Sequence, residues 1–103
     1  MSKLENDCLE MLRYADSQRG RWISVGELTI ECHIPPSTAR NILMVAKSGL
    51  FIKKDEGGST VHPDVFDKIA TKYRYDYLIQ KKKNERGRMT WHLAAVHVPY
   101  NIN

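Results

Sequence analysis

The twelve residues from 37 to 48, STARNILMVAKS, hold the side chains of this chain best suited to recognition chemistry. At 100° per residue, Ser37, Asn41, Met44 and Ser48 point one way, flanked by Thr38, Arg40 and Lys47, and no carboxylate occurs in the segment. Short hydroxyls, an amide and a guanidinium on one helical face can meet base edges and phosphate oxygens of a nucleic-acid duplex, with no acid to repel them. Ala39, Ile42, Leu43 and Ala46 share the opposite side, the natural core face. A second concentration lies at KKKNERGR, residues 81 to 88, where Lys81, Lys82, Lys83, Arg86 and Arg88 make the densest basic run. Acids and bases balance from Met1 to His62, so the whole formal net charge of +4 resides from Pro63 onward. Such a cluster is the footprint of phosphate contact.

Bond-making chemistry finds little support. His33, His62, His92 and His97, with two distant cysteines, show no C-x-x-C or H-x-x-x-H spacing for a metal. No setting marks a Ser, His or Asp as part of a nucleophilic triad, and glycine-rich phosphate loops are absent. Trp22, Trp91 and the tyrosines have faces on which bases could stack, but alternating aromatics in a ribbon more often form core. The chain therefore reads as a non-enzyme with no catalytic residues, no metal site and no cofactor. Cys8 and Cys32 fall on predicted core faces and read as reduced, buried thiols.

Positioning the two basic features requires a specific set of elements. Residues 3 to 17 predict an opening helix with Leu4, Cys8, Met11, Leu12 and Ala15 on one face. Trp22 and Ile23 predict a short strand. Ser24 followed by Glu27 predicts a capping box for a second helix, with Val25, Leu28, Thr29 and Cys32 turned inward. His33 occupies a turn that favours positive φ, Ile34 plugs the core, and Pro35 and Pro36 stop one helix and start the next. Gly49 caps that third helix, about 37–48, and Leu50, Phe51 and Ile52 return to the core. Gly57-Gly58 marks a turn, and Pro63 opens a further helical pattern with Val65, Ile69 and Tyr73 on one side. Alternation at Tyr73, Tyr75, Tyr77 and Ile79, and again at Met89, Trp91, Leu93 and Ala95, predicts a two-stranded ribbon whose tip is the basic loop 81–88. The expected fold is α+β, a single winged helix-turn-helix domain spanning 1–103, with a three-helix core, a β-ribbon wing and an extra helix. Its 42% hydrophobic and 27% charged residues are ordinary for one globular unit.

The stretch RWISVGELTIECHIPPSTARNIL resembles the helix-turn-helix of the CaiF/GrlA type of enterobacterial activators, and RGRMTWHLA is similar to the final wing strand of small fimbrial regulators related to PapI. Two departures stand out: His33 replaces the usual turn glycine, and residues 56 to 74 read as an inserted helix. The resemblance implies a small bacterial transcriptional regulator, with helix 37–48 in the major groove and loop 81–88 on the backbone or minor groove. The alternative is a winged-helix module that docks on another regulator or on RNA polymerase, for which Met44 and Val45 would offer apolar contacts. The implied partners are double-stranded DNA and either a second copy, through the opening or inserted helix, or a regulatory protein. With no run of about eighteen apolar residues and an acidic opening MSKLENDCLEML, the expectation is a cytoplasmic protein without membrane contact.

Overall fold

The computed structural model describes residues 1–49 and 61–98. Among them are four helices and a three-stranded antiparallel sheet, an α+β arrangement with the helices layered on one sheet face. Helix α1 (Lys3–Ser17) begins with a reciprocal cap: the Ser2 hydroxyl accepts from the Glu5 amide at 3.1 Å, and the Ser2 amide donates to the Glu5 carboxylate at 3.0 Å. Two of the amides that a helix start leaves orphaned are thus satisfied. The buried side of α1 is wider than one stripe. Asp7 and Leu9 are covered along with Cys8, Met11, Leu12 and Ala15, because α1 packs at once against α2, α4 and β3. Arg19 and Gly20, both left-handed, turn the chain away from it.

Strand β1 (Ile23–Ser24) leads directly into α2 (Val25–Cys32), one residue later than the Trp22-Ile23 pattern suggests. His33 ends α2 at φ 56° and ψ 43°, the left-handed turn expected of it. Ile34 is buried, Pro36 is the first residue of α3 (Pro36–Ser48), and Gly49 closes α3 at φ 74°. Helix α4 (Val65–Lys72) follows, rotated slightly from expectation. Phe66, Ile69 and Ala70 are buried, while Val65 and Tyr73 are only half-covered. The expected ribbon strand at Tyr73 instead begins at Tyr75, because Arg74 adopts φ 64° and turns the chain first. Leu50, Phe51, Ile52 and the Gly57-Gly58 turn lie outside the described residues.

Strands β2 (Tyr75–Lys83) and β3 (Met89–His97) pair over their full length, and the sheet order is β1-β3-β2. Ile23, Leu93 and Ile79 lie side by side across the three strands. They join Leu12, Leu28, Ile34, Ile42, Leu43, Phe66 and Ile69 in one core. Burying one such aliphatic side chain contributes about 1.5–3 kcal/mol, so this cluster is the main source of stability. Cys8 is buried and Cys32 half-buried, and both are free thiols. Burial pushes the Cys8 thiol up to about 12 and Cys32 to about 11, which keeps them protonated and unreactive. Among the described residues no helix is long and apolar enough to cross a membrane.

Candidate nucleic-acid interface

Helix α3 presents its polar side to solvent. Ser37, Arg40 and Lys47 are exposed, while Thr38, Asn41 and Met44 are half-buried. Ser48 is not free to read a base, since its hydroxyl donates to the Met44 carbonyl at 2.7 Å. Val45 overturns one expectation: it is fully buried rather than set at the edge of the outer face. It is covered on the flank of α3, outside the core cluster that takes Ala39, Ile42 and Leu43. No described residue supplies a side-chain partner for the guanidinium of Arg40, so its donors face solvent.

The start of α2 is fixed by a polar knot that the sequence motif describes only in part. The Ser24 hydroxyl accepts from the Glu27 amide at 3.2 Å, the first half of a capping box. The second half is missing. The Glu27 carboxylate turns instead to Arg21, which donates from both terminal nitrogens, and to the Tyr14 hydroxyl. Two charge-assisted donors outcompete one backbone amide for the same oxygens. Arg21 holds the Glu27 carboxyl below its ordinary value, and donation to Glu27 pushes the Tyr14 phenol up to about 12. The knot ties α1, the turn before β1 and the first turn of α2 into one unit.

The basic run is not a loop. Lys81, Lys82 and Lys83 are the last three residues of β2, opposite Trp91, Thr90 and Met89. Successive strand residues face opposite sides, so Lys82 is set apart from Lys81 and Lys83. Lys81 shares the helix-facing side with Trp91, its ammonium 5.2 Å from that ring. Lys82 is on the outer side, 4.7 Å from the Trp22 ring. The true tip is Asn84 to Arg88. There the Asn84 side-chain oxygen accepts from the Arg86 and Arg88 amides at 2.9 and 3.0 Å, and Gly87 takes φ 77°. Asn84 therefore shapes the tip, a role legible only as the spacing Asn84-x-x-Gly87.

The fold brings some of the predicted residues together and separates others. Arg40 of α3, Lys81 of β2 and Arg88 of the tip line one cleft, with Gly26 at the start of α2 and Met89 and Trp91 on β3. Lys83 and Arg86 line a neighbouring depression beside Arg21, Trp22 and the exposed Ile30 of α2, where Glu27, Glu31 and Glu85 offset their charge. Ser37, Thr38, Asn41, Met44 and Lys47 line neither, and remain on the outer surface of α3. Three cations from two distant segments, around a groove bordered by a helix and a hairpin, make an anion-attracting surface. Among the described residues no group of three or more His, Cys, Asp or Glu side chains could hold a metal. In comparisons with known proteins, no family model, curated protein or solved structure matches this chain.

Proposed function

We propose that the chain is a sequence-specific double-stranded DNA-binding regulator of transcription, a winged helix acting in the cytoplasm. Helix α3 enters the major groove, and the β2–β3 hairpin lies along the adjoining backbone or minor groove. The observation that carries this reading is the convergence of Arg40, Lys81 and Arg88 on one cleft between α3 and the hairpin. A duplex lying along α3 would meet both elements at once. Ser37, Arg40 and Asn41 are the base-reading candidates. Thr38 and Lys47 act mainly on phosphates, and Met44 offers a small apolar contact. The docking-module alternative loses support from the burial of Val45, which removes half of the apolar surface it needs on α3.

The experiment is binding to random and selected duplexes across a salt series. A DNA-binding protein loses affinity linearly in log–log form as salt displaces it through counterion release. Selection from a random duplex pool should then return a defined site. Negligible duplex affinity even at low salt would refute the reading.

A further inference from the structure

Helix α1 is engaged by α2, α4 and β3 on its buried sides, so it offers no free apolar stripe for self-association. The open feature lies elsewhere. Among the described residues β2 pairs only with β3, and no other described strand lies along its second edge over its nine residues. Those residues contain neither Pro nor Gly, and the register from Tyr75–His97 to Lys83–Met89 runs without a bulge. A long, regular edge of this kind is a template for another strand unless charge protects it. Here the lysines protect only one end.

We propose that β2 pairs antiparallel with β2 of a second copy of this chain, in the register that sets Asp76 opposite Lys82. Opposed residues must share a sheet face, so two identical strands related by a two-fold axis can shift only in steps of two. With the axis at Ile79, the strand's midpoint, the whole of β2 is used: Tyr75 faces Lys83, Asp76 faces Lys82, Tyr77 faces Lys81 and Leu78 faces Gln80. Every lysine then meets an acid or an aromatic ring, and no like charges are opposed. One step toward the chain start sets Arg74 against Lys82 and loses the ion pair. One step the other way sets Leu78 against Lys82 and Asp76 against Asn84. The register that pairs the most backbone is also the one that pairs the charges.

Both sheet faces agree with this register. On the helix-facing side, the Tyr77 hydroxyl donates to Asp67 of α4 at 3.0 Å, which holds a carboxylate beside the residue that faces Lys81 of the second copy. On the outer side, Leu78 is 60% exposed, and the two-fold brings the two Leu78 side chains to diagonal positions across the joint. Asp76 has no ion pair among the described residues. Lys82 exchanges its place over Trp22 for Asp76 of the second copy, a move its flexible stem allows.

The test is sedimentation velocity of the full chain over a concentration series without DNA, so its outcome is independent of the DNA-binding reading. A reversible monomer–dimer equilibrium is expected. Asp76→Lys and Lys82→Asp should each weaken it by roughly tenfold or more, since each replaces two symmetry-related attractions by repulsions. The double variant D76K/K82D restores opposite charges in the same register and should dimerise like the parent. Thermal melts confirm that each variant is folded. A parent that stays monomeric at every concentration, single variants without effect, or a double variant that fails to recover would each overturn the proposal.

Discussion

Replacing Lys81 and Arg88 together by Gln measures whether the cleft between α3 and the hairpin is where phosphate is held, with Arg40 left in place to read a base. Both side chains line the groove that Arg40 of α3 also lines. If each neutralises one phosphate, the slope of log affinity against log salt should flatten by about 1.8 in the double variant, at about 0.9 per contact. Between about 50 and 200 mM salt, that difference removes roughly a 12-fold share of the parent's salt-dependent loss. Fluorescence anisotropy of a labelled duplex across four salt concentrations gives the slope directly. Lys82→Gln is the internal comparison, because it deletes a charge from the same strand on the opposite face. It should leave the slope nearly unchanged. A double variant with the parent's slope would refute the cleft as a phosphate site. Equal flattening by Lys82→Gln would show that hairpin charge acts without regard to face.

Three further outcomes follow from the packing and the polar knot. Leu43 is fully buried in the shared core, and Leu43→Ala should cost roughly 2–5 kcal/mol in chemical denaturation. The Glu27 carboxyl is held below its ordinary value of 4.5 by Arg21 and Tyr14, so its contribution is complete above that pH and lost as pH falls through the folded value. Thermal stability should therefore drop on acidification below about pH 4.5, and Glu27→Gln should flatten that drop while lowering the neutral-pH melting temperature. Gly20 sits at φ 75°, where an added Cβ would lie 2.9 Å from Val96 Cγ1, and Gly20→Ala should cost at least about 1–2 kcal/mol from the backbone conformation alone. Val96→Ala should rescue Gly20→Ala only in part, since it relieves the contact and not the φ.

The parts of the fold governed by near neighbours were readable from sequence. Ser24 as a helix start, His33 in a left-handed turn, Pro36 at the head of α3 and Gly49 at its end each depend on a few adjacent residues. Where a distant partner decides the outcome, the reading changed. Glu27 abandons the capping geometry because Arg21 and Tyr14 reach it, and Tyr14 is thirteen residues away. Lys81 to Lys83 look like loop by polarity, yet pairing with Trp91, Thr90 and Met89 makes them strand. Val45 looks peripheral on a helical wheel, but the tertiary packing buries it. The cleft itself was legible only as two separate lists of cations. Nothing local in the chain says that Arg40 will share a groove with Lys81 and Arg88 but not with Lys82.

The sheet order has a consequence for how the molecule assembles. The middle strand, β3, follows in sequence every other described element, and β1 and β2 both pair with it rather than with each other. Until Met89–His97 arrives, the first strand and the hairpin's first arm have no mutual hydrogen bonds, and α1 lacks the strand against which it packs. Local helix formation can run ahead, but closing the ring from α1 to β3 joins segments some eighty residues apart, as the bond from the His97 amide to the Asp16 carboxylate at 2.9 Å illustrates. Contacts of such separation are slow to form and are made late. Docking of β3 is therefore the step expected to join the helices and strands into a cooperative unit. A stop before residue 89 should yield an aggregating fragment rather than a smaller folded domain.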